Sequence, residues 1–400
     1  MTMKEFLKKE WLLWTVYALA AVTVSIQKLT QGERPGGYTF YENYVIFKNS
    51  FPHLLQGLNP YADFPAEQWD LFKYSPAFSL FMAPFAVAPD WLGLPVWNLL
   101  NALVLLAAIL RLPVLSLGQR TFTAWFVLIE LITSLQNSQS NGLTAGLMLW
   151  AFIAFEHKKP AQAAGFITGA AYIKIFGIFA AVLALLYPRK WRFAAWLAGW
   201  TAFFTLVPLT VLSPAQLARV YEWWLELLRT DHEASVGLSV QGWLQAWFGW
   251  TPPKTGVTLA GLILLLASVW AAGRRDSNNP QPSTVNLQPP AVQSTLACAS
   301  VLIWVVIFNH KAESPTFIIA MCGVAFWWHT SNRSRWEKAL LWTTFLLVSL
   351  SPTDIFPKAL RQQIVQPYIL KAVPCIAIWM IITWKLLRKT KGAAKSRMAS

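Results

Sequence analysis

The chain has 400 residues, of which 56% are hydrophobic and only 13% are charged. Long apolar runs recur from Trp11 to Trp384, a pattern typical of polytopic membrane proteins and not of soluble globular domains. The net charge of +15 would suit a nucleic-acid-binding protein, but the basic residues lie mainly in short stretches between the apolar runs. We therefore expect no nucleic acid partner.

Most of the basic residues gather in short stretches between the apolar runs, namely 1–10, 111–120, 157–159, 188–192, 274–275, 333–338 and 385–397. Because translocation across a membrane discriminates against Lys and Arg, these clusters are expected to mark the cytoplasmic face. Both termini are then cytoplasmic, and membrane lipids with anionic headgroups are expected partners.

The first apolar run, about 11–29, lacks the cleavage site of a signal peptide and is interpreted as a retained membrane span. A large extracytoplasmic loop follows at about 30–75, and it contains "QGLNPYADFPAEQWDLFKYSP". Its prolines are expected to break helices and to set short helical segments along the membrane surface.

The next segment, from Pro76 to Ala108, is too long for one helix and is interrupted by "APDWLGLP". Residues 121–156 are predicted to form a helical hairpin, because basic clusters flank both sides. Residues 160–187 have similar flanks but contain Lys174. A lysine at mid-bilayer costs about 2.5 to 3.5 kcal/mol, so it should face a cavity or the outer mouth of a tight hairpin.

In the second half of the chain, apolar runs alternate with the basic clusters. Membrane spans are predicted near 193–212, 254–272, 291–308, 315–329, 338–350 and 367–386. The fold class is therefore an all-α polytopic integral membrane protein with about 10 to 12 transmembrane helices and a helical first extracytoplasmic loop. Three parts are predicted: an N-terminal transmembrane module (1–272), a proline-rich cytoplasmic linker (273–290) and a C-terminal transmembrane module (291–400).

The outward loops carry most of the carboxylates outside the basic clusters, so any chemistry is expected on the extracytoplasmic side. There is no P-loop and no G-x-G-x-x-G, and no cofactor is expected. The outward loops contain no D-x-D pair, and the three cysteines lie in apolar segments without a C-x-x-C spacing. The sequence therefore implies no metal site.

Several short motifs occur in a characteristic order: "GLNPY" (57–61), "KYSPAFSLFMAPF" (73–85), "VWNLLN" (96–101), "QNSQSNGL" (136–143), "AGFITGAAYIKIFG" (164–177), "YPRKWR" (187–192) and "FNHKAESPTF" (308–317). In their order and spacing they resemble glycosyltransferase family 87 of the C-type membrane glycosyltransferases. Its members resemble polyprenyl-phosphate-mannose-dependent mannosyltransferases.

The resemblance implies a sugar donor linked to polyprenyl phosphate, a lipid or glycan acceptor, and a bacterial inner membrane with the active face toward the periplasm. It also implies a general base in the first outward loop. At the spacing where the family has this carboxylate, the chain has Asn43, and Glu42 is its neighbour. Either Glu42 acts from one residue away, or Asp70 is the base, or the chain has lost transferase activity.

The chemistry requires a base within hydrogen-bond reach of the acceptor hydroxyl and cationic groups on the departing phosphate. Glu42 is the first choice for the base, because "FYENYVIF" places it at the membrane–water boundary. Asp70 is the second choice, and its spacing from Lys73 allows an ion pair on one helical face.

His310 and Lys311 leave a predicted span together and are the first candidates for binding the donor phosphate, followed by Lys73 and Lys174. Neutral polar side chains suited to sugar or acceptor hydroxyls are Asn43, Tyr61, Tyr74, Gln136, Asn137, Gln139 and Asn141. Helix capping explains the amides of "QNSQSN" nearly as well.

Two other classes of function remain open. In a transporter or lipid flippase, Glu130, Lys174 and His310 would lie along a substrate pathway. A non-catalytic accessory subunit would suit the missing carboxylate at Asn43. The family suggests mannose, but no residue distinguishes mannose from another sugar.

Overall fold

The structure, a computed structural model, describes residue 5 and residues 7–230, 235–276 and 289–388. The α-helices are α1 Glu10–Thr30, α2 Glu42–Leu55, α3 Pro76–Phe81, α4 Ala83–Val87, α5 Asp90–Leu110, α6 Leu117–Gln136, α7 Asn141–Glu156, α8 Pro160–Ile173, α9 Lys190–Leu206, α10 Pro214–Thr230, α11 Val240–Phe248, α12 Lys254–Asp276, α13 Pro289–Ile307, α14 Phe317–His329, α15 Arg335–Thr344, α16 Lys358–Leu360 and α17 Val373–Leu387.

In the part of the chain that the structure describes, three segments are 3₁₀ helices, namely Ile175–Leu186, Val207–Thr210 and Ser314–Thr316, and two are π-helical, namely Phe345–Leu350 and Arg361–Val365. Within the described ranges the chain forms no β-strand, and its one isolated bridge joins Glu33 and Thr39. The predicted all-α fold class is thus confirmed. Of the predicted linker, residues 277–288 lie outside the described ranges.

Among the described residues, four helical segments are long and apolar enough to cross a membrane: α1, α5, Lys190–Thr210, which is α9 with its 3₁₀ extension, and Lys254–Arg274 of α12. Shorter apolar helices accompany them, among them α7, Ile175–Leu186, Ala291–Ile307 of α13, and α17. α13 and α14 pack against each other, and their apolar side chains are almost all buried. Along α9, by contrast, only Phe193 is buried, so this helix lies at the periphery of the bundle.

Basic connections meet at one end of the bundle, which we call the basic end. There the Trp125 Nε1 donates to the Leu7 carbonyl at 3.1 Å, and Lys385 lies 3.3 Å from Glu337. At the opposite end, the loop end, Asn43 Nδ2 donates to the Asn137 carbonyl at 2.9 Å.

The break predicted after Ser75 has a clear local cause. The Ser75 hydroxyl caps α3 by accepting from the Phe78 N–H, and Pro76 occupies the first helical position. α3 and α4 are short, and the long span α5 begins only after Pro89. The predicted hairpin is α6 and α7, and Ser116 with Gln119 forms a capping box at its start.

The segment after Lys174 is a 3₁₀ helix of 12 residues, Ile175–Leu186. At about 2.0 Å per residue it reaches roughly 24 Å, as far as an α-helix of about 16 residues. Its buried residues recur at every third position: Gly177, Ala180 and Leu183. A Cβ atom on Gly177 would lie 2.6 Å from the backbone of Ala170, so glycine permits close packing of this segment against α8.

Candidate active site

A polar pocket of about 230 Å³ lies at the loop end, where α2, the 56–75 loop, the α6–α7 turn, the start of the 3₁₀ helix, α10 and the 309–316 turn meet. Its polar lining consists of Asn43, Asp70, Lys73, Tyr74, Ser75, Gln139, Lys174, Asn309, Lys311, Glu313 and Thr316. These residues come from segments far apart in the sequence, so only the folded bundle brings them together.

Gln139 is the centre of the hydrogen bonding in this pocket. Its amide oxygen accepts from Lys174 Nζ at 3.2 Å and from the Tyr74 hydroxyl at 3.4 Å, and its amide nitrogen donates to Glu313 at 3.4 Å. Burial raises the pKa of Tyr74, so its hydroxyl stays protonated and remains a donor. The network thus joins two loops through one amide side chain.

Lys174 lies in the turn between α8 and the 3₁₀ helix and is half-buried. A second amide oxygen, from Asn141, accepts from its Nζ at 2.7 Å. Burial lowers the pKa of Lys174 to about 8, and the Glu313 carboxylate partly opposes that fall. The lysine is therefore held by neutral oxygens, as expected for a charge at the mouth of a hairpin.

Asp70 and Lys73 lie on the wall formed by the 56–75 loop, 3.1 Å apart in an ion pair. The Leu71 N–H also donates to Asp70 Oδ1 at 2.7 Å. The Trp224 Nε1 of α10 donates to the Lys73 carbonyl at 3.4 Å, which holds the loop against that helix. Asp70 remains about half exposed, at 54% of its side chain, and faces the pocket.

Glu42 lies outside the lining of this pocket. It is the first residue of α2, is 4% exposed, and accepts from the Thr39 N–H and hydroxyl at 3.0 Å each and from the Trp69 N–H at 3.2 Å. These contacts tie the start of α2 to the surrounding loop. Its neighbour Asn43 does line the pocket.

The candidates for phosphate binding divide between two cavities. Lys73, Lys174 and Lys311 line the polar pocket, whereas His310 lines an adjoining cavity of about 670 Å³ that we call the side groove. The side groove runs between the 3₁₀ helix, α12 and α13, and its walls are mainly apolar. The groove and the pocket share Ile175, Phe176 and Asn309, so the two cavities are adjacent.

The other residues predicted to bind the sugar or the acceptor lie outside the lining of the pocket. The Tyr61 hydroxyl donates to the Tyr74 carbonyl at 3.0 Å, and Asn137 Nδ2 donates to the Thr133 carbonyl at 2.8 Å at the end of α6. Gln136 is the last residue of α6 and lines none of the pocket. Asn141 reaches the pocket through its bond to Lys174.

Glu313 and Trp224 are among the lining residues that the sequence did not indicate as site residues. Glu313 lies in "FNHKAESPTF", where only the preceding His–Lys pair drew attention. Trp224 lies in "YEWWLELL", whose tryptophans are more typical of an interfacial anchor. Among the described residues, no group of three His, Cys, Asp or Glu side chains is placed to hold a metal ion.

Glu130, the residue that favoured a transport function, belongs to a separate buried pair. Its Oε1 lies 2.9 Å from Lys371 Nζ, and this nitrogen also donates to Ser314 Oγ at 2.7 Å. The two side chains are 0% and 4% exposed. The pair ties α6 to the 314–316 turn, directly after the segment that lines the pocket.

The model of glycosyltransferase family 87 matches residues 72–288, which is more than half of the chain. The match includes Lys73, Gln139 and Lys174, begins just after Asp70 and ends before Lys311. A search of curated proteins found no match. On the extent of this family match, the chain belongs to glycosyltransferase family 87 and is a membrane glycosyltransferase.

Proposed function

We propose that the protein transfers a hexose, with mannose as the first candidate, from a polyprenyl-phosphate donor to an acceptor hydroxyl in the polar pocket. The observation that carries this proposal is the junction between the pocket and the side groove. An apolar groove there adjoins a pocket lined by three lysines, a combination that suits a ligand with a long apolar chain and a phosphate.

In this proposal the polyprenyl chain lies in the side groove along Phe179, Trp304 and Phe308. The phosphate lies at the junction, where Lys174 and Lys311 line the pocket and His310 lines the groove. Charged donors are about twice as strong as neutral ones toward a phosphate oxygen and stabilise the charge that develops on departure.

Asp70 is the proposed general base. As the acceptor oxygen forms its bond to the anomeric carbon, the carboxylate of Asp70 takes the hydroxyl proton. The bond from the anomeric carbon to the phosphate oxygen breaks, and polyprenyl phosphate leaves with the electron pair. Glu42 stays the other candidate, but it is 4% exposed and does not line the pocket, whereas Asp70 lines the pocket and is about half exposed.

The acceptor side of the pocket is proposed to be the wall of Asn43, Tyr74 and Gln139, whose amides and hydroxyl suit the hydroxyl groups of a glycan or glycolipid. Because the pocket lies opposite the basic end, the positive-inside rule supports a reaction on the extracytoplasmic side of the membrane. We place the protein in a bacterial inner membrane, with both termini in the cytoplasm.

Both proposed transmembrane modules contribute to this reaction. Asp70 and Lys174 belong to the N-terminal module, and Lys311 and Glu313 belong to the C-terminal module. The donor phosphate would therefore lie between them, so neither module alone is expected to transfer sugar.

The test measures release of polyprenyl phosphate by the purified protein in lipid nanodiscs, with a panel of polyprenyl-phosphate sugars and simple acceptors. Asp70→Asn is expected to lower the rate by roughly 10²- to 10⁴-fold, the usual contribution of a general base. Glu42→Gln serves as the matched carboxylate control and is expected to retain most activity, and thermal unfolding shows whether each variant is folded.

Loss of release in Glu42→Gln alone would transfer the role of base to Glu42. If the whole panel gives no release while a labelled polyprenyl lipid still crosses between leaflets, the proposed transfer is wrong and transport takes its place.

A further inference from the structure

Another groove, which we call the long groove, runs along the bundle between α5, α7, α8 and α9. It encloses about 690 Å³, and its walls are almost wholly apolar. Tyr172 and Ile173 line its loop end, and Arg111, His157 and Lys159 line its basic end. Between Lys159 and Ile173, which border or end α8, the helix rises about 20 Å at 1.5 Å per residue.

A smaller cavity of about 260 Å³ adjoins the basic end of the long groove and shares Lys159 with it. Lys158, Arg189 and Lys190 also line this basic-end cavity. Lys158 and Arg189 adopt positive φ angles of 57° and 64°, which turn the chain sharply between successive helices. Cations from these two turns thus line the same basic-end cavity.

The charge in these two cavities has one sign. Five permanent cations line them, namely Arg111, Lys158, Lys159, Arg189 and Lys190, and no carboxylate is among their described lining residues. Glu156, at the end of α7, accepts a short hydrogen bond from the Tyr187 hydroxyl. Like charges around one space repel each other, and a bound anion removes that repulsion.

We infer that the long groove and the basic-end cavity together bind one anionic glycerophospholipid from the membrane leaflet at the basic end. The phosphate lies among Arg111, Lys159 and Lys190, and an acyl chain extends along the long groove toward Tyr172. One leaflet of a bilayer contributes about 15 Å of hydrocarbon thickness, so the groove is long enough for such a chain.

The proposed sugar donor does not fit this site in the same orientation. Its phosphate must reach Lys174 at the loop end, whereas the cations of the long groove lie at the basic end. The long groove and the polar pocket share only Ile173 among their described lining residues. A phospholipid chain that reaches Ile173 therefore packs beside the turn that holds Lys174.

The first test compares binding of phosphatidylglycerol and phosphatidylcholine with identical chains to the full-length protein by native mass spectrometry. The wild-type protein is expected to retain phosphatidylglycerol preferentially. Arg111→Gln with Lys159→Gln is expected to weaken that binding roughly 25-fold, about fivefold for each cation. Arg335→Gln with Lys338→Gln removes two exposed cations of α15 outside both cavities and is expected to change little.

Equal binding of both phospholipids to the wild-type protein overturns the inference. So does an equal loss in both double variants, because binding would then follow net charge and not this site.

A second test fills the groove. Gly169 lines it, and a Cβ atom there has its nearest neighbours at 3.9 Å on Leu147 and 4.0 Å on Phe204. The backbone at Gly169 thus accepts a Cβ atom, and Gly169→Phe is expected to fill part of the groove and to reduce phosphatidylglycerol binding, with thermal unfolding as the check that the variant is folded. Gly199→Phe on α9, where a Cβ atom meets nothing within 4 Å, is the matched control.

The two possible occupants are separated by adding polyprenyl phosphate as a competitor. If it displaces phosphatidylglycerol, and Gly169→Phe weakens polyprenyl phosphate instead, the groove belongs to the sugar donor and the inference is wrong. Failure of the proposed sugar transfer leaves this site untouched, because the readout is phospholipid binding and not catalysis.

Discussion

Two lysines near the loop end show how differently this bundle treats a buried charge. Lys371 is paired directly with the Glu130 carboxylate and is closed off from solvent. Lys174 is held by the amide oxygens of Gln139 and Asn141, and its hydrogen bonds leave its charge without direct neutralisation. The charge of Lys371 is balanced by a carboxylate of the protein, whereas the arrangement around Lys174 favours binding of an anion. Solvent access and the nature of the partner, more than charge alone, distinguish an active site from a structural pair.

The largest expected effect concerns the closed pair. Lys371→Met leaves Glu130 buried without its partner, and removal of one member of such a pair costs about 3 to 5 kcal/mol. The free energy of unfolding, measured by denaturant titration in detergent, should fall by that amount. Glu130→Gln combined with Lys371→Met should recover part of the loss, because no charge then remains buried.

The distinction between a structural Lys371 and a functional Lys174 is wrong if Lys371→Met is as stable as the wild-type protein and yet abolishes sugar transfer. The pair would then belong to the functional machinery, and a pathway through Glu130 would need to be considered again.

The next effect concerns the open lysine. Lys174→Met should lower kcat/KM for the polyprenyl-phosphate donor by roughly 10- to 150-fold, since a hydrogen bond to a charged group contributes about 1.5 to 3 kcal/mol. Stability should change little, because the amide oxygens that lose their donor lie at a pocket open to water. Lys174→Arg should retain much of the activity. A loss of folding in Lys174→Met as large as in Lys371→Met would remove the distinction between the two lysines.

The smallest effect is a dependence on pH. Because burial lowers the pKa of Lys174 to about 8, the lysine is charged below that pH and loses its proton above it. Affinity for the donor should thus be full below pH 8, and KM should rise by up to tenfold per pH unit above it. Lys174→Arg should remove this rise, because a guanidinium stays protonated to about pH 12 or above. A wild-type profile that is flat from pH 7 to 10 would contradict the assignment.

Much of the fold could be predicted because its signals are local. The hairpin of α6 and α7 follows from two basic clusters and a polar turn, and the break before α5 follows from prolines. The segment Ile175–Leu186 was harder to predict. Its sequence is apolar throughout, so a buried face with a three-residue period leaves no mark in the pattern of polar and apolar residues.

The site could be predicted only in part, because its residues meet through tertiary contacts. Lys174 stands out in any apolar run, and Asp70 with Lys73 is a local pair. The contact between Gln139 and Glu313 joins segments that sequence spacing cannot relate. The placement of Glu42 also depends on the fold, since one residue of helix register decides whether position 42 or 43 faces the pocket.

The 3₁₀ helix after Lys174 also sets which changes of length this part of the chain can accept. Because its side chains repeat every three residues, removal of one residue turns the buried column of Gly177, Ala180 and Leu183 by about 120° away from α8. Removal of three residues restores the column but shortens the segment by about 6 Å. Lys174 would then be drawn along the axis out of the polar pocket, so the length of this one segment fixes the depth at which the lysine is held.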